Sequence, residues 1–260
     1  MKKSLLLIIS LLVLSFLPNT FAHDLKGAIA SEDRTPKNVV RDVYRNPYQT
    51  LDFFGIKTDM TIVELSPGGG WYTEILANYI HYPGTLIAAH HNPDAGGYYK
   101  RSRENFEKKM DSNPMYGRVE IVDLDSSLAD PNSVDAVLTF RNLHNWLGPL
   151  MDTIFSNSFK ALKPGGIFGV VEHRANVGTS MEMMKKSGYV TEAHAIMMAE
   201  KHGFELVAKS EVNSNPKDTK NYPKGVWTLP PNLRMKEVDR KKYLEIGESD
   251  RMTLLFRKPL

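Results

Sequence analysis

Three consecutive glycines, 68–70, stand between a short apolar run, 61–65 (Thr-Ile-Val-Glu-Leu), and a segment, 71–80, in which Tyr72, Ile75, Leu76, Tyr79 and Ile80 fall on one helical face. A strand that enters a helix through bare glycine lets backbone approach a ligand without Cβ interference. The free N–H groups and positive end of the helix then face that ligand. The strand-then-helix rhythm continues along the chain. Apolar runs at 85–89, 119–123, 134–140 and 167–171 predict strands, and 98–110, 150–162 and 191–202 predict helices. Lys163-Pro-Gly-Gly166 supplies the stop for the helix at 150–162. Two final runs, 204–212 and 252–258, have no helix between them and are expected to pair antiparallel at an edge. Alternation of this kind builds βαβ units. The expected fold is therefore α/β: a Rossmann-like, seven-stranded, mostly parallel sheet with helices on both faces.

The first 22 residues carry a different signal. Lys2 and Lys3 precede an apolar run from Leu5 to Leu17, Pro18 and Asn19 break it, and Thr20-Phe-Ala22 offers a small-x-small cleavage site. That is the pattern of a secretory signal, and the run falls short of the roughly 20 residues that span a bilayer. The expected organisation is a signal peptide at 1–22, a loose polar segment at 23–35, and one domain at 36–260. Within it, a long Pro-, Asn- and Lys-rich insertion, 213–246, is expected over the cleft. The chain is then exported, periplasmic or secreted, with no stable membrane anchor once the signal is removed. The 33 Lys and Arg less Lys2 and Lys3 leave 31 against 30 Asp and Glu. A surface so nearly neutral lacks the electrostatic footprint of a nucleic-acid binder. No cysteine is present, which excludes disulfides, thiolate nucleophiles and Cys-ligated metals.

In a parallel sheet, ligands sit outside the carboxyl ends of the strands, so the residues just after each strand matter most. After 61–65 comes Ser66-Pro-Gly-Gly-Gly70, which fits neither the dinucleotide G-x-G-x-x-G pattern nor a P-loop. After 85–89 comes His90, and after 119–123 come Asp123 and Asp125. The densest chemistry follows 134–140: Arg141-Asn-Leu-His-Asn-Trp146. Here His144 has the pKa range of a proton acceptor, Arg141 suits an anionic group, and Asn142 or Asn145 can orient it. Glu172 ends the strand at 167–171 as a further base or substrate ligand. The segment 44–47 reads as a helix capping the sheet, with a lid over the cleft as the alternative, and 248–251 as a structural turn network, with an Asp-Arg substrate pair as the alternative. No metal site is expected. His90 and His91 point apart on a strand, and the methionines near His194 are helix-spaced as core filler.

The Glu64-x-Ser66-x-Gly68-x-Gly70 turn resembles the E-x-G-x-G-x-G motif of class I S-adenosylmethionine-dependent methyltransferases. Val134-Asp-Ala-Val and Leu162-Lys-Pro-Gly-Gly-Ile-Phe resemble that family's fourth and fifth strand motifs in order and spacing. More narrowly, Pro67 to Thr73, Arg141 to Trp146 and Gly247 to Met252 resemble a group of exported methyltransferases. The resemblance implies S-adenosylmethionine as cofactor. Glu64, Ser66, Gly68, Gly69, Gly70 and Tyr72 would lie at its methionine end, His90 at the ribose, and Asp123 or Asp125 at the adenine. Asn142 would be beside them, with Arg141, His144 and Glu172 as the catalytic set. The implied activity is methyl transfer to a small-molecule or other non-nucleic-acid acceptor. The alternative is an exported, non-catalytic ligand-binding protein on the same fold. Oligomeric state is not encoded in any motif.

Overall fold

Four of the five residues of β1 (Thr61–Leu65) are buried, as a central parallel strand covered on both faces requires. In the computed structural model, which describes residues 24–260, β1 pairs in parallel with β2 (Thr85–His90) on one side and β4 (Val134–Phe140) on the other. β3 (Glu120–Asp123) lies outside β2, and β5 (Leu162–His173) lies beside β4, both parallel. The order is β3-β2-β1-β4-β5-β7-β6. The expected antiparallel pair exists, but β7 (Arg251–Arg257) enters between β5 and β6 (Glu205–Ser210) and runs against both. The expected signal peptide, 1–22, lies outside the described residues. Among the described residues, no helix is long and apolar enough to cross a membrane.

The pleat divides the core into two layers. Ile62, Leu86, Ala88 and Leu138 face α4 (Pro47–Phe53), α5 (Trp71–Tyr79) and α6 (Gly97–Asp111), whose Leu51, Ile75, Leu76 and Phe106 fill that side. Val63, Leu65, Ile87, Ala89 and Val137 face the other way, toward Met151, Ile154 and Phe155 of α8 (Pro149–Ala161) and Met198 of α10 (Glu192–Lys201). Helices therefore cover both faces. Between β4 and α8, the single turn α7 (Leu143–Trp146) sits at the carboxyl end of the sheet.

Three readings of the chain change. The Lys163–Gly166 stretch does end α8, but it does so inside β5. Leu162 already pairs with Val134, and four residues loop out before Ile167 pairs with Ala136. Of the segment expected to be loose, 23–35, the described residues 24–35 are tied down. Leu25 and Ala28 are buried on α1 (Leu25–Ile29), whose first turn is capped by Asp24 Oδ1 accepting from Gly27 N at 2.5 Å. Arg34, 2% exposed, donates to Ile29 O at 2.6 Å and to both Asp42 oxygens at 2.7 and 2.8 Å. One helical turn with two buried apolar residues is too short to show a period, and the tie that orders it is polar. Finally, 44–47, expected as one helix, straddles a break at Asn46: the chain after Pro36 forms three short helices, α2 (Pro36–Val39), α3 (Asp42–Arg45) and α4. Val40 and Val43 are exposed, while Leu51 and Phe54 carry the packing.

Buried carboxylates strap the N-terminal arm to the sheet. Glu74 on α5 accepts from Thr35 N (3.2 Å), Thr35 Oγ1 (2.5 Å), Asn38 Nδ2 (3.0 Å) and Lys109 Nζ of α6 (2.5 Å). Glu64, beneath the glycine turn, accepts from Thr73 Oγ1 at 2.6 Å. The insertion 213–246 is tied down by Asn213, which donates to Thr50 Oγ1 and Thr253 Oγ1, and by Asn215, which donates to Ile246 O and Glu248 O. It carries a 3-10 turn, Gly225–Thr228, which packs on α9 (Met181–Ser187), and then α11 (Arg240–Ile246). Met184 and Met198 are core, but Met181, Met183 and Met197 are at the surface.

Burial pushes the Glu64 carboxyl up to about 7 from 4.5, against the Thr73 hydrogen bond and the charge of Lys109. A group whose folded pKa is raised loses its stabilising contribution as pH rises through the folded value. At about 1.4 kcal/mol per unit, stability therefore falls by about 3 kcal/mol between pH 4.5 and 8. Glu64→Gln keeps the Thr73 bond and should remove that part of the pH dependence in urea unfolding; an unchanged slope would contradict it. Gly225 (φ +55°) has no room for a Cβ, which would be driven into the Ser187 carbonyl. Gly225→Ala should lower unfolding free energy by about 2–4 kcal/mol, read from the same denaturation curves.

Candidate active site

The turn after β1 is held in a left-handed chain path: Ser66, Gly68 and Gly70 have φ of 48°, 59° and 77°. Ser66 N donates to Ala89 O at 2.8 Å, which ties the turn to β2. A Cβ on Gly68 or Gly69 would meet nothing within 4 Å, so these two positions border open space. At Gly70 a Cβ would crowd Phe106 of α6 at 3.2 Å, so there glycine serves packing as well as φ. Lys109 closes the outer side by donating to Gly69 O at 2.7 Å. Asn142, at the start of α7, lies 3.2–3.3 Å from Leu65 O, Ser66 O, Thr139 Oγ1 and Phe140 O with its Nδ2. It staples the exits of β1 and β4 together.

Past the ends of β2, β3 and β4 lies a cavity of about 270 Å³, lined by His91, Tyr98, Tyr99, Asp125, Asn145 and Trp146 among others. Of the expected cofactor residues, Asp125 lines it, while Glu64, Ser66, Gly68, Gly69, Gly70, Tyr72, His90, Asp123 and Asn142 do not. His90 is fully buried on the opposite side of the strand, its ring 5.1 Å from Phe106 and its Nε2 donating to Gly68 O at 3.4 Å. Burial lowers its pKa to about 4, so it is neutral at neutral pH. The pleat is the reason: His90 shares its face with Leu86 and Ala88, and the cavity takes the next residue, His91. Asp123 turns outward to Arg103 at 3.0 Å, leaving Asp125 on the cavity. Tyr72 is also buried. Its ring stacks on Phe140 at 3.5 Å and 11°, and its hydroxyl donates to Arg45 O at 3.3 Å. Glu64 lies under the turn, bonded to Thr73.

Of the expected catalytic trio, Arg141 and His144 reach one cavity, whereas Glu172 is fully buried and meets it only through His144. Arg141 (φ 64°) is fixed by its N–H donating to Val171 O at 2.6 Å. His144 on α7 donates from Nδ1 to Glu172 Oε1 at 3.0 Å, and the same oxygen accepts from His173 N at 2.7 Å. That pairing sets the His144 tautomer and leaves Nε2 with the lone pair. His144 and Arg141 line a second cavity of about 230 Å³, together with Arg41, Arg45, His173 and Glu248. Val226, Trp227, Pro230 and Pro231 of the insertion form its apolar wall. Ser249 Oγ lies 2.5 Å from His173 Nδ1.

Its electrostatics were not visible in the sequence. Glu248, 3% exposed, takes Arg41 Nε at 2.6 Å, Arg251 at 3.4 Å, Arg45 at 3.5 Å and Arg141 at 3.8 Å. Burial alone would raise its carboxyl, but Arg45, Arg141, Arg251 and Arg41 hold it down at about 2. Burial also lowers Arg141 to about 10 and, with repulsion from Arg141, pulls Arg45 well below the ordinary guanidinium range. His173 is held well below the usual imidazole value, first by burial and then by its neighbours His144, Arg141, Arg251 and Arg45. His144, Glu172 and His173 bring one ligand-capable atom each within 4.8 Å of one another, a grouping missed by the sequence reading, which named no metal ligands. Arg141, Arg251 and Arg45 bear on His173, a field that opposes a cation.

No protein-family model and no curated protein matches the chain. Solved structures do match. A SAM-dependent methyltransferase from Aquifex aeolicus aligns at TM-score 0.57 and 15% identity, over 90% of this chain and 98% of that one. A geranyl diphosphate methyltransferase in complex with SAM aligns at TM-score 0.58 and 10% identity, over 90% and 94%. The [4+2]-cyclase SpnF aligns at TM-score 0.59 and 15% identity, over 91% and 92%. Likeness at this level of identity is a likeness of fold, and the chain has the Rossmann-like fold of the S-adenosylmethionine-dependent methyltransferases.

Proposed function

We propose that the chain is an S-adenosylmethionine-dependent methyltransferase acting on a small-molecule acceptor. The observation that carries this reading is the division of labour across α7. Asn145 and Trp146 belong to one cavity and His144 to the other, so two ligands bound there would meet at a single helical turn. The residues present suit the cofactor. Gly68 and Gly69 border open space, in which any side chain would intrude. His91, Tyr99 and Trp146 offer aromatic faces, and Asp125 a hydroxyl or amine acceptor.

The cofactor supplies a methyl group on a positively charged sulfur, already activated for displacement. The chain's own contribution is alignment and a proton sink. The proton that the acceptor's nucleophile sheds is taken by His144 Nε2. Glu172, anchored by the His173 N–H, stabilises the imidazolium so formed. Trp227 and the Pro230–Pro231 step close the acceptor side. The SpnF likeness shows that the fold alone does not fix the reaction, so the assignment rests on the two cavities. We also propose, from the pattern of 1–22, that the protein works after export.

Calorimetry of the processed protein with S-adenosylhomocysteine should give a dissociation constant in the micromolar range; no heat would contradict the assignment. Asp125→Ala should weaken that binding at least tenfold while Asp123→Ala leaves it unchanged, because only Asp125 lines the cavity. His144→Ala should retain binding but lower methyl transfer from labelled cofactor into an envelope extract by about 10²–10⁴-fold. Undiminished transfer, or none from the wild type, would favour the non-catalytic binder.

A further inference from the structure

The charge count of the second cavity is unbalanced. Arg41, Arg45 and Arg141 line it and Arg251 lies behind Glu248, so four guanidiniums share one carboxylate. The other acidic groups nearby are committed. Glu172 is bonded to His144 and His173, Asp250 is paired with Arg174 and Lys220, and Asp42 with Arg34. Two buried guanidinium nitrogens on the cavity residues have no hydrogen-bond partner: Arg41 Nη2 and Arg45 Nη1. Arg45 is 1% exposed, so its orphan donor is shielded from bulk water. A buried, unpartnered, charged donor is costly unless something else satisfies it. The planar fork of arginine matches an oxyanion.

We propose that this cavity binds the methyl acceptor through an oxyanion, a carboxylate or phosphate group, gripped by Arg41 and Arg45 with Arg141 beside them. The oxyanion completes the arginine cluster, and the rest of the acceptor lies against Trp227 and Pro230–Pro231, with its nucleophile toward His144. The acceptor class is thus a small anionic metabolite with an apolar body. Polycationic and uncharged acceptors are disfavoured by the same field. The insertion contributes the apolar wall and Glu248 holds the arginines in place. This inference rests on the methyltransferase reading for the acceptor's fate, but the anion site itself does not.

The test uses the processed full chain and three probes, inorganic phosphate, acetate and zinc chloride, at constant ionic strength held with sodium chloride. Thermal unfolding and calorimetry read the binding. Phosphate or acetate should raise the melting temperature saturably, and which one binds tighter identifies the headgroup. Arg41→Gln, which changes a part-exposed side chain, should weaken the anion at least tenfold. Arg141→Met is a second variant should the first not fold. Saturable zinc binding without any anion response would overturn the proposal in favour of a His144–Glu172–His173 metal site. So would an anion response that survives both variants. S-adenosylhomocysteine titrated into the same samples separates the two claims. Cofactor binding without anion binding defeats only the oxyanion site, and anion binding without cofactor binding defeats only the methyltransferase reading.

Discussion

The five parallel-paired strands, β1 to β5, deliver their exits to one edge of the sheet, and the candidate site residues gather along that edge as a result. β1 releases the glycine turn there, β2 His91, β3 Asp125, β4 the Arg141–Trp146 segment, and β5 Glu172 and His173. Parallel pairing also demands two apolar faces, and the two helical layers that answer this demand leave the carboxyl edge free. The antiparallel insertion of β7 between β5 and β6 then carries 248–251 back to the same edge. Glu248 reaches the arginines only through that reversal.

Within the edge, polar ties set geometry more tightly than apolar packing does. Asn142 bridges the exits of β1 and β4, Lys109 closes the glycine turn from α6, and Glu172 orients His144. Glu248 serves four guanidiniums at once, an arrangement that holds the N-terminal helices, β4's exit and β7's entry in one cluster. Such a cluster is expensive to bury, and removal of its one carboxylate would leave like charges facing each other. Its persistence at a cavity wall, with donors left over, fits a binding role better than a purely structural one.

The sequence displays what is local and hides what is long-range. β1 and β4 are legible to the residue because each is a short, mostly apolar, β-branched-rich run between turn-formers. The whole alternation, and hence the fold, follows from such runs. His144 and Glu172 are legible as strand-end residues. His90 is a parity error: one step along a strand exchanges the faces, and nothing local tells His90 from His91. Asp123 and Asp125 differ for another reason: Arg103 of α6 claims the first, and the chain turns after β3 before it reaches the second. Arg41 lies 207 positions from Glu248, so no periodicity or spacing relates them. The ordering of 24–35 is hidden because it depends on Arg34 finding Asp42 and on Thr35 and Asn38 finding Glu74, with only one short helical turn as local evidence.

The central claim is that the turn at 66–70 and the cavity beside Trp146 together hold a sulfonium nucleoside. A crystal structure of the processed protein grown with S-adenosylhomocysteine tests it directly. The account predicts density for the nucleoside between Tyr99, Asp125 and Trp146, continuing along Gly68 and Gly69. Density for the compound elsewhere, or both regions filled by protein side chains, would contradict it.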